Sequence, residues 1–217
     1  MQTIQVEVNY DFICPWCWIG QRNFVAALAQ GSAGETVSIR YVPFELNPSM
    51  PIDGMDRRVY RTRKFGSWAR SQMMDGQVAA AGLAVGARFN YDIVQRTPNT
   101  RLAHRLMQFT QERNEPQKTA ALYEHIYAAY FSDGLDIGVL DTLVAIAAVQ
   151  RFDENAVRAY LVSNAGNDQI DAARQHADSL GVRTVPTIVI DGETISGAQP
   201  PNVFTQALRS AALRSAA

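Results

Sequence analysis

Apolar and polar positions alternate at the start of the chain, with Ile4, Val6 and Val8 set against Gln5, Glu7 and Asn9. That period of two predicts a half-buried strand from Thr3 to Tyr10, ending just before Cys14-Pro15-Trp16-Cys17. From Pro15 the period changes. Ile19, Phe24, Val25 and Leu28 recur at helical steps, Pro15 suits the first helical position, and Gly31 and Gly34 mark a stop. A second strand is expected over Val37 to Phe44, where Val37, Ile39 and Tyr41 alternate with Ser38 and Arg40 before Pro43, Pro48 and Pro51 interrupt the pattern. Strand, helix, strand predicts parallel pairing through a right-handed crossover.

Between about Asp53 and Ser163 the pattern predicts helices and no strand. Segments Asp56 to Gly82, Asn99 to Arg113, Pro116 to Tyr130, Val139 to Gln150 and Asp153 to Leu161 carry apolar residues three and four apart, punctuated by Pro98, Pro116, Gly134 and Gly138. Mixed structure then returns. A helix from about Asp168 to Leu180 stops at Gly181, and a strand over Thr187 to Ile190 turns at Asp191-Gly192 into a strand over Thr194 to Ser196. A last helix is expected from Pro201 to about Ala212, with a frayed Ala/Ser-rich tail after Ser210. The fold class is α/β with an all-helical insertion: residues 1–52 and 166–217 form the mixed part and residues 53–165 the insertion.

Composition narrows the classes. A chain of 217 residues, 47% hydrophobic and 19% charged, can bury a core without disulfide staples. A net charge of -1 from 20 basic and 21 acidic residues offers no summed field for nucleic acid or an acidic membrane face, so neither partner is expected. The longest apolar candidate for a membrane span, Leu140 to Val149, is short and holds Asp141 and Thr142. The first residues show no basic region, apolar run or small-residue cleavage site, and a cytoplasmic protein is expected.

The two cysteines sit together, which excludes a framework of structural disulfides. Disulfide exchange needs an attacking thiolate and a second thiol near enough to resolve the mixed disulfide, and two intervening residues supply that spacing. At a helix start, the Cys14 sulfur meets unpaired backbone N–H groups and the positive end of the dipole. Cys14 is therefore the expected exposed nucleophile and Cys17 the shielded resolving thiol, with Pro15 and Trp16 tuning the potential. Two other readings stay open. Half a zinc site needs two more ligands, and His104, His125 and His176 show no paired pattern, so no metal is expected. Two inert buried cysteines packing as small hydrophobes are the other.

A second signal is Thr184-Val185-Pro186-Thr187 at the head of an apolar strand. Proline belongs at a strand start or edge, and a cis Val185-Pro186 bond would let the Val185 backbone meet an extended substrate. Val185 and Pro186 are the candidate substrate-binding residues.

With these residues in hand, the chain resembles the DsbA-like branch of the thioredoxin superfamily, in particular its FrnE-like cytoplasmic members. The stretches that carry the likeness are Asp11 to Gly20, Pro43-Phe44-Glu45-Leu46-Asn47-Pro48, Gly181 to Thr187 and Ile195 to Gln199, together with Asn99 to Leu106 in the helical insertion. The resemblance implies a thioredoxin-like fold split by the helical block, with Cys14 and Cys17 as the redox pair and Pro186 in cis facing them. Well-known relatives place histidine where Trp16 stands; Trp16 cannot supply a cation, which implies a weaker bias toward thiolate than in the most oxidising members.

The family has a related branch, kappa-class glutathione transferases and 2-hydroxychromene-2-carboxylate isomerases, which bind glutathione and usually carry serine in place of Cys14. Both cysteines here favour disulfide exchange with protein or small-molecule thiols and no cofactor. A glutathione-dependent isomerase or transferase is the alternative. Glutathione as a co-substrate would sit on the Val185 backbone and the turn Gly197 to Gln199, where a helix N-terminus suits a carboxylate.

Other residues have plainer roles. His104 reads as a structural histidine among Leu102, Leu106 and Phe109. Trp18, Trp68, Met73 and Met74 read as core, with a groove lining as the other role. Asp11 reads as a cap or turn former that could also reach the thiols through a hydrogen-bond chain.

Overall fold

A computed structural model describes residues 3–31 and 36–216; Gly34, one of the two expected helix stops, lies outside the described residues. The chain divides into two compact units, Met1–Phe44 with Ala173–Ala217, and Glu45–Ala172. Those divisions fall at 44/45 and 172/173, against 52/53 and 165/166 from the sequence.

The first unit opens with β1 (Thr3–Tyr10), α1 (Pro15–Gly31) and β2 (Thr36–Pro43). β1 and β2 pair in parallel from Thr3↔Thr36 to Tyr10↔Pro43. The alternation read in β1 is real at Ile4, Val6 and Val8, each 1% exposed, but Asn9 and Tyr10 are buried as well. α1 starts at Pro15, whose missing N–H is no loss in a first turn, and buries Trp18, Ile19, Phe24 and Ala27. Val25, read as part of that apolar face, points instead to solvent.

The second unit holds β3 (Met55–Asp56), α2 (Arg57–Phe65), α3 (Trp68–Ala84), β4 (Arg96–Thr97), α4 (Arg101–Gln111), α5 (Pro116–Phe131), α6 (Leu140–Val149) and α7 (Glu154–Val162). Two expectations are corrected here. The single helix read over Asp56 to Gly82 is two helices: Gly66 adopts φ 89° and donates its N–H to Thr62 O, and the Ser67 side chain caps α3 by accepting from the Arg70 N–H. The break carries no proline, and Gly66 with Ser67 interrupts the pattern too briefly to show against apolar residues that recur on both sides. The insertion also contains strand, since β3 and β4 pair as Met55↔Thr97 and Asp56↔Arg96. Two residues per strand are too few to show a period.

The helical core gathers Leu106, Phe109, Leu122, Tyr123, Ile126 and Tyr127, all buried. Arg105 closes α7: its guanidinium donates to the carbonyls of Tyr160, Leu161, Ser163 and Ala165 at 2.7 to 3.1 Å, satisfying the acceptors a helix end leaves open. Arg101 joins the beginning and end of the unit, donating to Glu45 at 3.1 Å, Asn167 Oδ1 at 2.8 Å and Asp171 at 2.7 Å.

α8 (Asn167–Ser179) returns the chain to the first unit and ends at Gly181, with φ 69°. β5 (Thr187–Ile190) and β6 (Glu193–Ser196) follow, joined by Asp191 and Gly192 at φ 43° and 84°, the paired positive angles of a tight type I′ hairpin. α9 (Pro201–Ala216) completes the chain and runs past the expected end near Ala212, through the segment read as frayed.

The sheet order is β2-β1-β5-β6, with β5 antiparallel to both its neighbours. β5 is buried along its length, which accounts for its unbroken apolar run. α1 and α9 pack together, and the Phe24 and Phe204 rings meet edge to face at 5.7 Å. This is a mixed α/β, thioredoxin-like fold with a helical insertion.

Candidate active site

Three segments of the sheet-bearing unit converge on Cys14. The first is the turn from β1 into α1, where the Cys14 N–H donates to Asp11 O at 2.9 Å and the Cys17 N–H to Cys14 O at 3.1 Å. Asp11 is fully buried, and its carboxylate accepts from the Ile13 N–H at 3.5 Å, a local bond of the kind that shapes Asx turns. The helix start therefore carries Cys14 at its lip and Cys17 one turn inside.

The second segment is Val185-Pro186, whose peptide bond is cis. The Cys14 thiol donates to Val185 O at 3.5 Å, although the two residues lie 171 positions apart. The third is the turn before α9. The Gly197 N–H donates to Pro186 O at 2.8 Å, and Asn23 Nδ2 on α1 donates to Gln199 O at 2.9 Å. Gly20 completes the junction, because a Cβ there would lie 3.1 Å from Pro186 Cγ and 3.4 Å from Ala198 Cα.

Exposure differs sharply within the tetrapeptide. Trp16 is 41% exposed, Cys14 7% and Cys17 1%. The expectation of an exposed Cys14 is corrected to a small opening, since the Val185 carbonyl covers part of the sulfur. Pro15 and Val185 are half-buried and Pro186 is buried. Both cysteines are free thiols.

Burial pushes the Cys17 thiol well above the ordinary range, and its hydrogen bond to Cys14 and the charge of Cys14 add to the effect. The proton stays on Cys17. Tyr10 is likewise raised, by burial first and then by Asp11, Tyr41 and Cys17. The pair is thus chemically unequal, with one sulfur at the lip of the helix and the other sealed and protonated.

Gly20 and Asn23 were not singled out in the sequence as site residues. A glycine in the middle of a helix was the available signal, since it weakens the helix unless something approaches closely. Asn23 gave only a polar residue beside the apolar Phe24. His104 is fully buried in α4 and Trp18 in α1, both as core residues. Trp68 is half-buried and Met73 is 66% exposed. Among the described residues, no group of three or more His, Cys, Asp or Glu side chains could hold a metal ion.

The DSBA-like thioredoxin domain matches residues 5–209. The chain belongs to that family. The crystal structure of a probable DsbA oxidoreductase from Streptomyces coelicolor is similar at 31% identity and TM-score 0.86, covering 96% of this chain and 89% of that one. YwbO of Bacillus subtilis is 26% identical over 207 residues, 95% of this chain and 96% of its own length. The cytosolic disulfide reductase DsbM of Pseudomonas aeruginosa shares the fold at 16% identity and TM-score 0.69, over 97% of this DSBA-like chain and 99% of DsbM. DsbM has also been solved with GSH. Within the described residues of this DSBA-like protein, no helix is long and apolar enough to cross a membrane.

Proposed function

We propose that this protein is a thiol–disulfide oxidoreductase in which Cys14 attacks and Cys17 resolves. The observation that carries the reading is the contact of Cys14 Sγ with Val185 O at a helix start, with Cys17 sealed behind it. Cys14 stands at the start of α1 with the Cys17 thiol hydrogen-bonded to it, and reacts as the thiolate. It attacks one sulfur of a substrate disulfide. A bond forms between Cys14 and that sulfur, the substrate S–S bond breaks, and the leaving thiolate takes a proton from solvent. Cys17 then loses its proton and attacks Cys14 Sγ; the Cys14–Cys17 disulfide forms and the second substrate thiol departs. Two electrons pass from the pair to the substrate, and the reverse sequence oxidises a dithiol.

Val185 presents its backbone to the substrate, and Pro186 holds that loop against Gly20. Pro15 and Trp16 tune the pair's potential. The chemistry requires no metal or organic cofactor. A thiol such as glutathione recharges the oxidised pair, seated on the Val185 backbone and the turn Gly197 to Gln199. The similarity to a cytosolic disulfide reductase that has been solved with GSH supports that donor and a cytoplasmic setting. Reduction is then the direction of flow at a cytosolic thiol poise.

The test is insulin reduction with glutathione or dithiothreitol as donor. Turnover abolished by Cys14→Ser, together with a trapped mixed disulfide in Cys17→Ser, is the expected result. Glutathione-dependent isomerase activity that survives Cys17→Ser, with no insulin reduction by the parent protein, would replace this reading with the transferase-like one.

A further inference from the structure

The helical unit contains a pocket of about 230 Å3 that disulfide exchange does not use. Its walls include Arg57, Trp68, Gln72, Gly76 and Tyr91. Arg57 begins α2, yet its side chain is only 5% exposed. Its Nη2 donates to Asp75 Oδ2 at 2.8 Å, and Arg61 takes the other oxygen of the same carboxylate at 2.7 Å. Two arginines share one acid. Arg61 finds further acceptors on Ser71, at 2.7 Å to Oγ and 3.5 Å to the carbonyl. Among the described residues the Arg57 guanidinium donates to Asp75 alone. A guanidinium carries five N–H donors, so Arg57 keeps donors free on the side that lines the pocket.

The surroundings point to a specific ligand chemistry. The Arg57 guanidinium carbon lies 4.7 Å from the Tyr91 ring centre and 5.8 Å from that of Trp68, so flat apolar walls flank the charge. Arg57 belongs to a basic stretch of the chain, and Arg58 lies 5.8 Å from the Trp68 ring centre. Residues 57–70 hold Arg57, Arg58, Arg61, Arg63, Lys64 and Arg70 and no acidic residue, in a chain whose net charge is -1. Arg58, Arg63, Lys64 and Arg70 are exposed. Asp75, already paired with both arginines, and Asp92 also line the pocket.

We propose that this pocket binds a small organic carboxylate with a flat body, its carboxylate paired to the Arg57 guanidinium and its ring held between Trp68 and Tyr91. A guanidinium fork matches a planar carboxylate in two parallel hydrogen bonds. The ligand brings acceptors to donors that the protein leaves unmet.

Benzoate is the probe, followed through the Trp68 indole N–H signal in an NMR titration and assigned with Trp68→Phe. Saturable shifts with benzoate, absent with neutral benzamide and with benzylammonium, are expected. Arg57→Gln weakens binding about tenfold or more. Because Arg57→Gln also disturbs the Asp75 pair, Gly76→Leu gives an independent arm. A Cβ at Gly76 meets no atom within 4 Å, and leucine is the better helix former in α3, so the variant fills open space and keeps the Arg57–Asp75 pair. Gly76→Leu abolishes the shift. Equal binding of benzamide, or a benzoate shift that persists in Gly76→Leu, overturns the proposal.

Discussion

Gly20 and Pro186 lie so close that a Cβ on Gly20 would sit 3.1 Å from Pro186 Cγ, a contact tighter than packed side chains ordinarily make. The contact fixes the distance between the helix bearing the cysteines and the carbonyl that Cys14 meets.

Gly20→Ala therefore sets two effects against each other, a gain of about 1 kcal/mol in helix propensity and a tight contact that has to give by a few tenths of an ångström. Gly20→Val removes the balance. It is expected to lower stability by about 1–3 kcal/mol through overpacking and to slow insulin reduction, as read by urea midpoints and initial rates. Parent-like values on both would show that the junction has slack.

Cys17 supplies a pH prediction. Its folded-state thiol is raised by burial, so its contribution to stability is fully present below the unfolded value of about 8.5 and is lost as pH climbs toward the raised folded value. The reduced protein should lose stability through that alkaline window, and Cys17→Ala should lose less over the same range. Iodoacetamide at pH 8 should modify Cys14 well before Cys17; equal labelling of the two would contradict the exposure difference.

Glu7 makes the opposite case at low pH. Burial alone would raise its carboxyl, but hydrogen bonds from Arg40 and from His176, at 2.8 Å, outweigh that and hold it below the usual range. Its contribution is present above the unfolded value of about 4.3 and disappears as pH falls through the lower folded value. Glu7→Gln should flatten the acid limb of the stability curve, and because Arg40 is exposed the effect should shrink in high salt. An unchanged acid limb would mean the pair is inert.

Arg105 concerns the helical unit alone. Its donors meet four carbonyls at the end of α7, and lysine cannot reach all of them. Arg105→Lys is expected to cost on the order of 2–3 kcal/mol by denaturant unfolding, and Arg105→Ala at least as much. A loss below about 0.5 kcal/mol for Arg105→Ala would show that solvent replaces the clamp.

Much of this was legible in the chain. β1, β5 and the Asp191-Gly192 turn follow from alternation and turn chemistry, because those signals are local. The Cys14-to-Cys17 motif and Val185-Pro186 announced themselves by residue type. What the sequence concealed is what depends on partners far away. Val25 carries the same apolar character as Phe24 but faces water, and the break at Gly66 hides inside a continuous helical period. Gly20 and Asn23 matter through Pro186 and Gln199, distant segments that no local pattern names. Arg57 stands in a run of cations with nothing local to set it apart, since its burial is a property of the packed helices and not of the residue.

Arg101 holds Glu45, where the helical unit begins, against Asn167 and Asp171, where it ends. Once that clasp forms, the chain between β2 and β5 is shortened by the length of the helical unit, and the entropy of bringing β5 to the sheet no longer reflects the full count of intervening residues. Helices can then be added to or trimmed from the interior of the insertion without taxing the sheet, as long as the clasp survives.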